Sequence, residues 1–263
     1  MKDYSNIRIG IIGLGSMSTA IVKGLIRHGG VLPENIYASG RNWEKLESKC
    51  KALGIHPVTN EDVVKQSEIV IIGVTPKQVV GVLDEIGEFL RGKIIVSIAY
   101  GVTGADYEKQ LPVGSHVICT VPNTPVEVGK GVFVCADNHS LLPEQLAVFQ
   151  DIFGRIALIE MLPPNLLNLG GIIAGSTPAF MDMVMEALSD AAVLHGMPRA
   201  TSYRLVEKMM EGTAAYALES GTHPGILKDG VCSPGGETIK GVRTLESRDF
   251  RGALIQAVDE IME

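Results

Sequence analysis

At 263 residues, with 46% hydrophobic side chains and only 5% aromatics, the chain has the size and composition of a globular protein of one or two domains. Its formal net charge is −7, from 23 basic and 30 acidic residues, and no basic run offsets it; that balance argues against a nucleic-acid or anionic-membrane binder. No stretch reaches the ~18 apolar residues of a membrane helix, and the four cysteines (Cys50, Cys119, Cys135, Cys232) lie far apart without a C-x-x-C, so neither a disulfide framework nor a metal site is expected.

The chain opens on Ile9 to Ile12, a continuous apolar run expected to be a strand buried on both faces. Gly13-Leu14-Gly15-Ser16-Met17-Ser18 follows and leads at once into a helix. Gly13 permits a tight turn, Gly15 lets the backbone approach a diphosphate, and the helix N-terminus favours the anion. Ser18 occupies the third glycine position, so the fingerprint is incomplete. Arg8 and Lys23 interrupt the apolar stretch and argue against a signal peptide, which with the dispersed cysteines leads to a cytoplasmic expectation.

Strands and helices then alternate. Asn35 to Ser39 predicts a strand, Trp43 to Leu53 a helix ended by Gly54, and Glu68 to Val74 a buried strand stopped at Thr75-Pro76. A helix is expected from about Lys77 to Leu90, and strands at Lys93 to Ile98, His116 to Val121 and Gly131 to Ala136, with Pro122-Asn123-Thr124-Pro125 between the last two. A helix near Pro143 to Phe153 and a strand near Ile156 to Met161 close this half. The alternation predicts an α/β fold: a Rossmann-like, doubly wound, mostly parallel sheet over residues 1–162. The Gly13–Gly15 and Val74–Thr75–Pro76 turns should flank one crevice at the carboxyl ends of its strands.

After Pro163-Pro164 only helical periodicity is visible, so residues 163–263 are expected to form an all-α domain. Helices are predicted from Pro178 to Leu194, from about Arg199 to Ser220, and from near Thr238 to Met262. Their apolar stripes are too extensive for about a hundred residues to shield, and an intertwined homodimer is the natural remedy.

Which dinucleotide the crevice suits is read from the turn after the second strand. Ser39-Gly40-Arg41-Asn42 carries no carboxylate, the group that would bind an unphosphorylated ribose. A serine hydroxyl and an arginine fork suit a 2′-phosphate, so NADPH is expected, with NADH as the alternative.

The second informative stretch is Asp229-Gly230-Val231-Cys232-Ser233-Pro234-Gly235-Gly236-Glu237-Thr238-Ile239-Lys240-Gly241, continuing to Leu245-Glu246. On composition it is a rigid loop capping a helix, whose amides and hydroxyls can converge on a small anion. Its D-x-V-x-S-P-G-G-x-T-I-x-G-x-x-x-L-E pattern resembles the C-terminal signature of Δ1-pyrroline-5-carboxylate reductases. IGIIGLGSM near the N-terminus, SIAYGVT at 97–103, PNTP at 122–125, Gly175-Ser176-Thr177-Pro178-Ala179, EALSDAAVLHGMPRA at 186–200 and HPGILKD at 223–229 extend the resemblance to essentially the whole chain. It implies an NAD(P)H-binding domain, a helical dimerisation domain, the last step of proline biosynthesis, and dimers that often assemble into larger rings.

Carried onto this chain, the resemblance puts the cofactor phosphates at Gly13, Leu14, Gly15, Ser16 and Met17. Ser39 and Arg41 fall near the adenosine, Asn60 matches a cofactor contact, and Val74, Thr75, Pro76 and Lys77 fall beside the cofactor. Thr75 stands where the family commonly has lysine, with Lys77 as a nearby substitute. Ser233, Gly235, Gly236, Glu237 and Thr238 match the loop that holds the substrate carboxylate, with the Thr238 hydroxyl near the ring nitrogen as the candidate catalytic group. Further departures are Cys119 for an arginine, Asn168 and Gly171 for an aspartate and a threonine, Thr177 for a small residue, and Pro164 near an often acidic position. His195 and His223 have contexts that suit structural roles. Two rival functions are an NADP-linked reductase of a 3-hydroxy acid or six-membered imine, and a non-catalytic cofactor-binding paralogue.

Overall fold

The computed structural model describes residues 3–263. They form two compact units, the first ending at Gly175 and the second running Ser176–Glu263.

In the first unit, β1 (Ile9–Ile12), β2 (Ile36–Ser39), β3 (His56–Pro57), β4 (Ile69–Ile72), β5 (Ile94–Ser97), β6 (His116–Pro122), β7 (Gly131–Ala136) and β8 (Ala157–Leu162) make one sheet in the order β3-β2-β1-β4-β5-β6-β7-β8. Every neighbouring pair is parallel except β6 with β7. The connecting helices are α1 (Ser16–Gly24), α2 (Trp43–Leu53), α3 (Asn60–Gln66), α4 (Pro76–Ile86), α5 (Gly104–Glu108), α6 (Pro143–Phe153) and α7 (Pro164–Gly171). Alternate residues of single strands feed separate clusters: Ile9, Ile11, Ile69 and Ile71 join one, Ile12, Val70 and Ile72 the other. A strand with both faces covered has no polar face, which is why β1 and β4 read as uninterrupted apolar runs. The chain winds outward from β1 to β3, then returns to β4 on the other side of β1. The switch point therefore lies between β1 and β4, where ligands of such sheets bind.

The short β3, α3 and α5 were not among the expected elements. Each helix is started by a threonine whose hydroxyl accepts a backbone N–H: Thr59 from Asp62 at 3.2 Å, Thr103 from Asp106 at 3.3 Å. The helix expected to reach Leu90 ends at Ile86, and a tighter 3₁₀ turn covers Gly87–Leu90.

The second unit contains α8 (Thr177–Leu194), α9 (Arg199–Ser220), α10 (Pro224–Gly230), α11 (Glu237–Glu246) and α12 (Phe250–Met262). The single terminal helix expected from Thr238 to Met262 is thus two helices. The break falls at Asp249, whose φ of 56° makes it the one non-glycine left-handed residue among the described residues. Aspartate tolerates that conformation better than most side chains, and a Cβ on Gly252 would lie 2.3 Å from its Oδ1.

From Ser176 onward the only buried residues are two serines, Ser189 on α8 and Ser202 on α9. Their hydroxyls lie 2.8 Å apart, and Arg199 Nη1 donates to Ser189 Oγ at 2.7 Å. Leu194 and Leu218 are 82% and 80% exposed, and Met183, Ile226 and Ile255 are exposed too. A helical unit whose own packing buries no apolar side chain needs another surface to cover its stripes.

Candidate functional site

The first site grows out of the β1–α1 turn. Gly13 has φ +92°, a conformation costly for any side chain, and a Cβ there would lie 2.8 Å from Val74 Cγ1. The Gly13 and Leu14 amides both donate to the Ser39 carbonyl, at 3.1 and 3.2 Å, tying the turn to the end of β2. Gly15 differs. Its φ of −78° suits any residue, and a Cβ would meet nothing within 4 Å. Nothing inside the chain requires glycine here; the vacant volume belongs to the cleft. α1 begins at Ser16 with no side-chain cap and no acidic residue in its first turn, so its leading amides are available to an anion.

Ser18, at the incomplete third position, donates its hydroxyl to the Gly13 carbonyl at 2.7 Å. A Cβ on Gly73, just past β4, would lie 2.2 Å from Ser18 Oγ. The close helix–strand approach usually provided by the third glycine is provided here from the strand side.

Over the switch point lies a cleft of about 600 Å³. Gly13, Leu14, Gly15, Ser39, Arg41, Asn60, Val74 and Thr75 line it; Ser16, Met17, Pro76 and Lys77 do not. The Ser39 hydroxyl donates to Asn60 Oδ1 at 2.6 Å, and Asn60 Nδ2 donates to Glu85 Oε2 at 2.8 Å. Thr75 caps α4: its N–H and hydroxyl both donate to Gln78 Oε1, at 3.3 and 2.8 Å. The sequence reading missed Trp43, Lys45 and Lys49, which also line the cleft. The four-residue spacing of Lys45 and Lys49 could have revealed them, since positions four apart share a helix face. The lining therefore carries three cations and no carboxylate, and its donors and vacant volume at Gly15 fit a phosphorylated dinucleotide.

The second site, in the other unit, is the turn from Val231 to Gly236 between α10 and α11. Gly235 has φ +72°, which the turn itself requires, and a Cβ on Gly236 would lie 2.4 Å from Ser233 Oγ, so glycine there leaves room for that hydroxyl. The Gly236 amide donates to the Ser233 carbonyl at 3.0 Å. Gly236 then starts α11 without a side-chain cap, which presents the first-turn amides and the exposed Thr238 together. Glu237 is also in that turn, its carboxylate held 2.8 Å from Lys240 Nζ. Such a turn can bind a small carboxylate through backbone donors.

Comparison with known proteins decides the family. The curated pyrroline-5-carboxylate reductases of Escherichia coli and Treponema pallidum are 38% and 37% identical to this chain, covering 97% and 96% of it and 96% and 97% of their own lengths. The chain belongs to the pyrroline-5-carboxylate reductase family. The description "Pyrroline-5-carboxylate reductase dimerisation" matches residues 164–263, and "NADP oxidoreductase coenzyme F420-dependent" matches residues 8–101. A crystal structure of the Plasmodium falciparum pyrroline carboxylate reductase with NADP bound aligns at a TM-score of 0.85 and 27% identity, over 97% of this chain and 95% of its own. The Coxiella burnetii pyrroline-5-carboxylate reductase aligns at 0.84 and 30% identity, over 97% and 96%.

Four of the departures noted in the sequence, Cys119, Asn168, Gly171 and Pro164, sit in definable local surroundings. Cys119 is buried within β6, and desolvation pushes its thiol up to about 12, so it serves as a small apolar residue. The Tyr100 hydroxyl donates to Asn168 Oδ1. A Cβ on Gly171 would lie 2.9 Å from Val121 Cγ1, so α7 sits too close to β6 for a side chain there without a shift of Val121. Pro164 opens α7 at a first-turn position that needs no N–H. Within PNTP, Asn123 accepts from the Val132 amide at 2.8 Å and donates to the Ala174 carbonyl at 2.9 Å, pinning β7 and the segment Ile172–Ser176 that follows α7.

Proposed function

We propose that the chain reduces 1-pyrroline-5-carboxylate to L-proline. The observation that carries this reading is a switch-point cleft with three cations and no carboxylate, in a chain of the pyrroline-5-carboxylate reductase family. Residues 1–162 act as the NADPH domain, and residues 163–263 as the substrate-binding and homodimerisation domain. The unit boundary at Gly175 leaves α7 with the sheet. Among the described residues no helix is long and apolar enough to cross a membrane, and the free cysteines suit a cytoplasmic enzyme. Assembly of dimers into a larger ring rests on the resemblance alone.

NADPH, when bound, supplies the hydride that adds to C5 of the C=N bond. The Gly13–Met17 turn and α1 amides hold the diphosphate, while Ser39, Arg41 and Asn60 bracket the adenosine ribose. Val74, Thr75, Pro76 and Lys77 belong to the segment beside the rest of the dinucleotide. Ser233, Gly235, Gly236 and Glu237 hold the substrate carboxylate through hydroxyl and backbone donors, so no arginine is needed. Thr238 would hydrogen-bond the ring nitrogen and, where the imine arrives unprotonated, pass it a proton taken from solvent. With the imine protonated, the C=N electron pair would end as the lone pair of a neutral secondary amine, whereas the unprotonated imine would have to gain a proton, so the protonated form is the better hydride acceptor. The remaining work is alignment and exclusion of water.

The test follows absorbance at 340 nm with each cofactor and freshly prepared imine. Thr238→Ala is expected to lower kcat/KM by roughly 10- to 100-fold, the equivalent of ~1.5–3 kcal/mol, with NADPH affinity retained. Unchanged kinetics would remove Thr238 from the mechanism, and cofactor binding without turnover of the imine would overturn the function.

A further inference from the structure

The adenosine end of the cleft is more basic than the β2 turn alone accounts for. Arg41 precedes α2, and Lys45 and Lys49 follow at four-residue intervals, so the two lysines share one helix face. That face looks into the cleft, with Leu46 at the boundary between cleft and core and Cys50 packed wholly into the core. Lys49 is half-buried, and its Nζ donates to the Leu14 carbonyl at 2.9 Å, inside the glycine turn. Among the described residues neither Arg41 nor Lys45 makes an ion pair. Lys45 also sits in the first turn of α2, where the helix dipole disfavours a cation. A cation at such a place does not help the helix, so its position on the cleft wall is what recommends it to a ligand. Ser39, by contrast, directs its hydroxyl proton to Asn60 and has none left for a phosphate.

Building on the NADPH reading above, we propose that Lys45 and Lys49 are specificity residues for the adenosine phosphates. Lys45 joins Arg41 on the 2′-phosphate. Lys49 braces the Leu14 carbonyl and brings positive charge to the diphosphate turn. Discrimination against the unphosphorylated cofactor then comes from α2, with Ser39 a support for Asn60.

Trp43, the only tryptophan of the chain, lines the same cleft and supplies a signal that does not depend on turnover. The full-length protein is titrated with adenosine 2′,5′-bisphosphate and with 5′-AMP, read by tryptophan fluorescence. Wild type is expected to prefer the bisphosphate. In Lys45→Gln that preference falls about 10-fold, the scale of one charge-assisted hydrogen bond, and Lys45→Arg restores it. Lys49→Gln weakens both nucleotides together, because both carry a 5′-phosphate. If wild type prefers the bisphosphate and both glutamine variants bind like wild type, this inference fails and the NADPH reading stands. If wild type binds neither nucleotide, the NADPH reading fails and takes the inference with it. Circular dichroism of each variant separates lost binding from lost folding.

Discussion

Gly73 and Ser18 make a quantitative test of how the dinucleotide turn is built. Gly73→Ala places a methyl 2.2 Å from Ser18 Oγ and 3.0 Å from the Gly13 carbonyl oxygen. Neither atom can retreat easily, since the Ser18 hydroxyl is bonded to that same carbonyl at 2.7 Å. Overpacking of this kind costs about 1–3 kcal/mol. Ser18→Ala alone loses one hydrogen bond, ~1 kcal/mol, and recovers about half of that through alanine's higher helix propensity. In the double variant the 2.2 Å clash is gone and only the 3.0 Å approach to Gly13 remains. The two changes should therefore be non-additive, with the double variant about 1–2 kcal/mol more stable than the sum predicts. That exceeds the ~0.5 kcal/mol scatter of independent sites. Urea unfolding of the four proteins at one fixed protomer concentration measures it. Additive costs would mean that Gly73 does not make room for the Ser18 hydroxyl, and the account of the missing third glycine would fall.

Two further outcomes follow from other parts of the chain. The Asp106 carboxyl is held down to about 2, first by the Thr103 hydroxyl, then by the Thr103 backbone N–H and Lys109. With its folded value below the ordinary 3.8, its stabilisation is complete above about pH 4 and disappears as pH falls toward 2. The stability gap between wild type and Asp106→Asn should close over that range; a gap constant from pH 5 to 2 would show that the capping box is not ionic. In the second unit, exposed Leu194, Leu218 and Ile255 are read as covered by a second copy. The thermal midpoint should then rise with protomer concentration, whereas a concentration-independent midpoint with monomeric mass in solution would refute that reading.

Much of the first unit was legible because its strands are buried on both faces: Ile9–Ile12 and Ile69–Ile72 could hardly be anything else. The crevice followed from topology, and Gly13, Gly15, Ser39 and Thr75 do line one cleft. What escaped notice was governed by polar side chains. α3 and α5 are short helices nucleated by Thr59 and Thr103, too brief to show an apolar period. The turn at Asp249 hid because the left-handed residue is itself an aspartate rather than a glycine, and helical spacing resumes on both sides. The Ser18–Gly73 pairing could not be read locally, since the residue that makes space and the residue that fills it are far apart in sequence. Lys45 and Lys49 were overlooked for another reason. Charged residues on a helix ordinarily mean a solvated face, and only the fold turns this face toward a ligand.

The two units bear on function in different ways. The sheet unit has its own apolar core, and the cleft at its switch point is held by hydrogen bonds within that unit, from Gly13 to Ser39 and from Lys49 to Leu14. On the proposed function, dinucleotide binding draws on this unit. The helical unit has no such core, and the turn from Ser233 to Gly236 rests on helices whose apolar side chains remain uncovered. A substrate turn of that kind is only as rigid as the surface that covers those helices. Self-association is therefore expected to influence substrate KM more than cofactor affinity. If the proposed sites hold, the most regular architecture serves the cofactor, and the fit to the small carboxylate depends on the surface that covers the helices.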